Sequence, residues 1–118
     1  MEIRDKVVVV TGGGSGIGAA MARRFHAEGA KAVVVADLNG DNAAGIAGEI
    51  GGRAFTVDVS REQEIVELIE TVEDEVGPID LFCSNAGIGI GRGLETGNDE
   101  WEKIMGVNLY AHVYAARH

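Results

Sequence analysis

Four short apolar runs divide the chain, and each is followed by a segment of different periodicity. Residues 6–12, KVVVVTG, form a continuous apolar run too short for a helix and closed by glycines, so they read as a buried strand. Residues 16–28 carry Ile17, Ala20, Met21 and Phe25 at helical spacing, and Gly29 closes them. KAVVVAD, at 31–37, reads as a second buried strand, and 41–50 as a weaker helix interrupted by Gly45 and Gly48. RAFTVDV, at 53–59, reads as a third strand. Ser60 with Gln63 three residues on predicts a capping box. The helix it opens places Ile65, Leu68, Ile69, Val72 and Val76 on one stripe, and Gly77-Pro78 ends it. IDLFCSN, at 79–85, is a fourth strand. A Gly-rich loop at 86–98 leads to a last helix starting near Asn98 or Asp99.

Strands alternating with helices predict an α/β fold, a doubly wound parallel sheet with right-handed crossovers. No repeat or linker interrupts the 118 residues, so 1–118 reads as part of a single domain. The seven acids of 62–75 resemble an acidic tail, but the apolar stripe among them makes this the solvated face of a packed helix. The last segment, WEKIMGVNLYAHVYAARH, stays helical and apolar without a stop signal.

Charge narrows the function. Nineteen acids against ten bases give a net charge of −9, which disfavours nucleic acid and an anionic membrane surface. No apolar run reaches membrane-span length, and the charged start MEIRDK is no signal peptide. A lone cysteine, Cys83, suits a reducing compartment, so a cytoplasmic protein is expected. Placed in a buried strand, its thiol reads as inert. His26, His112 and His118 lack ligand spacing, so no metal site is assigned.

The first strand ends in TGGGSGIG, with the spacing T-G-x-x-x-G-x-G at Thr11, Gly12, Gly16 and Gly18. Backbone N–H groups of such a turn, with the helix N-terminus that follows, make a phosphate cradle. No Gly-Lys-Ser/Thr follows, so it is not a P-loop. A Gly-rich turn without a ligand is the alternative. Asp37 ends the second strand 19 residues after Gly18, where an acid accepts hydrogen bonds from adenosine ribose hydroxyls and repels a 2′-phosphate. No Arg or Lys stands at 13–15 or 38–40, which predicts NAD rather than NADP. The other use of Asp37 is as a helix cap. Asp58 ends the third strand, where it can accept from an adenine amino group or serve a turn beside Ser60. Gly89, Gly91 and Gly93 mimic a phosphate loop but follow the fourth strand, and read better as a mobile loop beside the cleft.

With SNAG (84–87) and VNL (107–109) in order after these motifs, the chain resembles the N-terminal half of the short-chain dehydrogenase/reductase family. The resemblance covers nearly the whole chain. It implies an NAD(P)-binding Rossmann fold, truncated after the fourth strand and its following helix. It implies that Gly12, Ser15, Ile17 and Gly18 hold pyrophosphate and ribose, that Asp37 selects NAD, and that Leu38 belongs to the cofactor site. Asp58 and Val59 would hold adenine, and Asn85, Ala86 and Gly87 would border the cofactor. Asn108 resembles the family's active-site asparagine; a polar residue that caps or kinks the helix is the alternative. Trp101 matches an anchoring position expected in the core.

The family's chemistry also needs a Ser and Tyr-x-x-x-Lys. Here Tyr110 is followed four residues on by Tyr114, and Tyr114 by His118; no Lys follows Lys103 and no Ser follows Ser84. Both tyrosines therefore read as packing residues. The expectation is a fragment of an NAD-dependent oxidoreductase acting on a small alcohol or carbonyl substrate, inactive as 118 residues and a homo-oligomer when whole. A nucleotide-binding half-domain without chemistry is the alternative. An S-adenosylmethionine-dependent methyltransferase is a third, which SNAG and the Thr11–Gly18 spacing oppose.

Overall fold

The structure, a computed structural model, describes residues 1–90 and 93–118. Four parallel strands form one sheet: β1 (Val7–Thr11), β2 (Ala32–Asp37), β3 (Arg53–Thr56) and β4 (Leu81–Cys83), in the spatial order β3-β2-β1-β4. Connecting them are α1 (Gly16–Ala27), α2 (Gly40–Ile50) and α3 (Glu62–Glu75). After β4 and its loop come α4 (Asn98–Met105), a π-helical turn (Gly106–Tyr110) and α5 (Ala111–Arg117).

The valine runs are buried because β1 and β2 lie at the centre, covered on both faces. Val33 and Val35 pack with Ala19, Ala22, Ala43, Ile46, Ala47 and Ile50 of α1 and α2. Val7, Val9, Val34 and Ala36 point the other way, onto Ile65, Leu68, Ile69 and Val72 of α3 and onto Val107 and Ala111. The period-2 alternation of a strand thus serves two cores at once. The chain winds outward from β1 through β2 to β3, then crosses to place β4 on the far side of β1. That reversal lies between β1 and β4, where doubly wound sheets open a crevice at their carboxyl ends.

Several elements differ from the expectation. The expected stripe of α1 packs only in part: Phe25 lies half-buried against the core that Ala19 and Ala22 enter, Met21 is half-buried, and Ile17 and Ala20 are exposed. The helix lies so close to the preceding turn that a Cβ on Gly18 would strike the Gly12 carbonyl, which leaves room only for small residues. Helix α2 runs unbroken through Gly45 and Gly48, because both face open space while Ala43, Ile46, Ala47 and Ile50 carry the packing. Ser60 does not cap α3. Arg61 holds that position without a side-chain bond, and the Ser60 hydroxyl is placed to donate to Asp58 Oδ1 at 2.6 Å. Gln63 likewise turns to Glu67, and Glu64 is the residue that reaches back, accepting the Asp58 N–H at 3.0 Å.

The third strand ends at Thr56 rather than 59 because its partner β2 ends at Asp37. The fourth is only three residues long. On one side the Asp80 carboxylate takes the Val7 N–H at 2.8 Å while the Asp80 N–H donates to the Val7 carbonyl at 3.0 Å, and on the other the Thr11 hydroxyl accepts the Asn85 N–H at 3.0 Å, so side chains take over part of the strand pairing at both ends. Trp101 is not in the core: it is 43% exposed, and α4 buries none of its residues. Tyr114 packs against the core, whereas Tyr110 is exposed. Of the loop glycines, Gly91 lies outside the described residues.

Candidate functional site

At the carboxyl edge of the sheet the chain ends of β1 and β4 are stapled together. Thr11, buried, donates its hydroxyl to the Cys83 carbonyl at 3.3 Å and accepts N–H groups from Asn85 at 3.0 Å and Ala86 at 3.3 Å. The Asn85 amide returns to the Thr11 carbonyl at 3.1 Å. This leaves β1 free to turn sharply into α1. Gly12 takes a left-handed φ of 65°, and a Cβ there would come within 2.8 Å of Ala86 Cα, so only glycine lets the two loops meet.

Helix α1 then begins without a side-chain cap. Its first backbone bond runs from the Ala19 N–H to the Ser15 carbonyl at 3.1 Å, so the N–H groups ahead of Ala19 lack intrahelical acceptors. No acid lies in the first turn. Such an end suits an anion through both its donors and the helix dipole.

Asp37, at the tip of β2, is not a helix cap; Asn39 caps α2, accepting the Asn42 N–H at 3.0 Å. The Asp37 carboxylate instead accepts the Gly14 N–H at 2.9 Å through Oδ2 and the Asn39 N–H at 2.9 Å through Oδ1. It thereby ties the Gly-rich turn to the start of α2. Asp58 does take the turn role: its Oδ1 accepts the Ser60 N–H at 3.0 Å and the Ser60 hydroxyl. It also lines the same crevice as Asp37.

That crevice is a cleft of about 400 Å³. The eleven residues proposed from sequence all border it: Gly12, Ser15, Ile17 and Gly18 from the turn, Asp37 and Leu38 from β2, Asp58 and Val59 after β3, and Asn85, Ala86 and Gly87 after β4. Ile17 and Leu38 are strongly exposed there, which an apolar side chain accepts at a ligand edge more readily than in bulk surface. Among the described residues, no Lys or Arg lines the cleft.

Asn108 does not line the cleft. It sits in the π turn, where its Oδ1 accepts the Ile88 N–H and its Nδ2 donates to the Ile88 carbonyl, each at 2.8 Å. One side chain thus pairs with a residue of the loop as a strand neighbour would. The sequence reading missed Ile88 and Val107, which form the apolar wall that this clamp holds, and Val57, which closes the base. The V-N-L motif was the available signal for Val107; nothing local marked Ile88. It also missed Ser84, whose hydroxyl lies 2.6 Å from His112 Nδ1 and joins the end of β4 to α5. Burial pushes the Cys83 thiol up from its ordinary range, in keeping with an inert cysteine.

Among the described residues there is no group of acids, histidines and cysteine able to hold a metal ion, and no helix long and apolar enough to cross a membrane.

The sequence pattern of the short chain dehydrogenase family matches residues 6–118. Tropinone reductase-like 2 of Erythroxylum coca is 38% identical over 99% of this chain and 45% of its own length. The NADP-dependent (R)-specific alcohol dehydrogenase of Lentilactobacillus kefiri is 37% identical, over 98% of this chain and 48% of its own. Among solved structures, 3-ketoacyl-(acyl-carrier-protein) reductase from Brucella melitensis, complexed with NADH, superposes with a TM-score of 0.92 at 35% identity, over 98% of this chain and 49% of that one. The chain spans about half the length of the curated relatives it matches.

Proposed function

Since the chain belongs to the short-chain dehydrogenase family, we propose that it is the cofactor-holding part of an oxidoreductase that moves hydride between NAD and an alcohol or carbonyl substrate. The observation that carries this reading is the gathering of eleven residues, from four separate loops, around one cleft at the carboxyl edge of the sheet. The cradle fits a dinucleotide diphosphate. Bare glycine backbone lines it where a Cβ would clash, and unpaired N–H groups of α1 open onto it. Asp37 accepts from ribose hydroxyls. Asp58 and Val59 hold the adenine, and Asn85, Ala86 and Gly87 form the floor. Asn108 acts through Ile88, keeping the wall of the cleft in place.

Family membership alone leaves the choice of cofactor open, as the NADP-dependent relative shows. Asp37 argues for NAD. A carboxylate at the ribose repels a 2′-phosphate, and among the described residues the lining offers no cation to offset that repulsion. When bound, NAD accepts or donates hydride at its nicotinamide ring. These 118 residues contain no Tyr-x-x-x-Lys and no Ser after Ser84, so they supply no proton donor for that step. The chemistry, the small-molecule substrate and a homo-oligomeric assembly therefore belong to this reading of the whole protein, as does its placing in a reducing cytoplasm. A nucleotide-binding module without chemistry is the second reading, favoured by the same missing residues.

Titration calorimetry with ADP-ribose and NAD tests the proposal. The adenosine diphosphate end has its partners in this chain and the nicotinamide end does not. The two ligands should bind within about fivefold of each other, roughly 1 kcal/mol. No turnover is expected from the 118 residues alone. Retention of S-adenosylmethionine instead of either ligand would refute it. So would turnover that survives Tyr110→Phe with Tyr114→Phe, since catalysis would then lie in groups given no such role here.

A further inference from the structure

The dinucleotide reading leaves one feature of the cleft unused: how Asp58 is oriented. Both Ser60 donors, its backbone N–H and its hydroxyl, converge on Asp58 Oδ1 at 3.0 and 2.6 Å. The Asp58 backbone is fixed independently by the Glu64 carboxylate. Among the described residues Oδ2 accepts no hydrogen bond. Asp58 lines both the cleft and the adjoining cavity of about 740 Å³, and Ser60 lines the second alone. Ser60 in turn is seated against the π turn: a Cβ on Gly106 would come to 3.0 Å from Ser60 Cβ. A larger residue there would press on the serine and shift it by a few tenths of an ångström.

We propose that Ser60 is a positioning residue for base recognition, locking Asp58 Oδ1 so that Oδ2 alone faces the ligand and selects a purine bearing a 6-amino group. The proposal rests on the dinucleotide reading of the cleft. The chemistry is one of donors and acceptors. An ionised carboxylate oxygen only accepts, so it matches the amino donor of adenine and opposes the 6-oxo acceptor of hypoxanthine. A carboxylate free to rotate would still be an acceptor, but would not hold that oxygen at the base edge. The lock also has a directional consequence. With two donors aimed at the Oδ1 position, the amide introduced by Asp58→Asn must place its oxygen there. Its NH₂ then falls at the Oδ2 position and offers a donor, which suits hypoxanthine.

The test is calorimetry of the 118-residue chain with ADP-ribose and with its inosine counterpart. The parent should prefer the adenine ligand by about tenfold, the value of one charge-assisted hydrogen bond gained against one lost. Ser60→Ala should cut that ratio about threefold, mainly by weakening the adenine ligand, and Ser60→Thr, which keeps the hydroxyl, should retain it. Asp58→Asn should reverse the preference, and adding Ser60→Ala to it should shrink the reversal. A merely structural serine would weaken both ligands alike and leave the ratio unmoved; that result overturns the proposal. If Ser60→Ala fails to fold, Asp58→Asn decides, and a preference that does not reverse overturns it. Equal affinity of the parent for both ligands removes this inference and leaves the cofactor reading intact, whereas binding of neither removes both.

Discussion

Thr11 carries more of the site than its side chain suggests. One hydroxyl serves the Cys83 carbonyl and the N–H groups of Asn85 and Ala86, in a place with almost no water. Thr11→Val keeps the shape and removes all three bonds. The expected cost is about 1–3 kcal/mol, from polar groups left buried and unpaired, read as a lower urea midpoint with an unchanged slope. Asp37 braces the glycine turn, and in the proposed cofactor reading its charge also meets the ribose. Asp37→Ala should weaken NAD binding and narrow the gap to NADP; an unchanged NAD/NADP affinity ratio would show that the carboxylate only braces the turn. The place of Asp37 at the end of β2 was legible in the sequence. Its hold on Gly14 was not, because that residue lies 23 positions away and meets the carboxylate only through the fold.

At the scale of elements, the last helix shows what periodicity leaves out. Its apolar residues surround the axis, and only the π turn, with Val107 and Ala111 inward, settles which side packs. The end of that helix is tied to the start of α3. Glu62 Oε1 accepts from Arg117 at 2.7 Å and from His118 at 3.0 Å. The His118 hydrogen bond first, and then the nearby Arg117 charge, hold the Glu62 carboxyl below its ordinary range despite desolvation. A carboxyl whose folded pKa is depressed stabilises the fold above its unfolded value, near 4.3, and that contribution fades as the pH falls through the folded value. Glu62→Gln should therefore lower the melting temperature at neutral pH, with the gap to the parent closing below about pH 4. The pair is exposed, so added salt should shrink the gap as well. A pH-independent gap would assign the effect to packing of the α3–α5 contact.

The whole molecule is a sheet covered on both faces but open at its margins. β4 pairs with β1 alone among the described residues, and the helices beyond it expose Trp101, Met105, Leu109, Tyr110 and Val113. An unpaired strand edge and an apolar helical surface both favour association with another chain. Self-repulsion from a net charge of −9 opposes it, most strongly at low salt. The expected outcome is self-association that increases with protein concentration and with salt, followed by light scattering. A stable monomer at high concentration in both low and moderate salt would mean that these surfaces are held apart by charge or are too small to pair.

The sequence by itself determined the βαβ order, the central valine strands, the α3 stripe and the glycine turn with its two acids. Each is written in local terms: a run, a period, or a spacing within one loop. The resemblance to a known family supplied the full set of eleven residues that border the cleft, whereas position at the carboxyl ends of the strands pointed to the glycine turn and the two acids. Tertiary structure alone decided the rest. Which face of α1 packs depends on how near that helix lies to Gly12. Where β3 and β4 stop depends on the length of β2 and on Asp80 and Thr11, side chains that take over part of the strand pairing. Whether Ser60 caps a helix or holds Asp58 depends on where its hydroxyl is placed: it donates to the Asp58 carboxylate at 2.6 Å, and the N-cap of α3 falls one residue later, at Arg61.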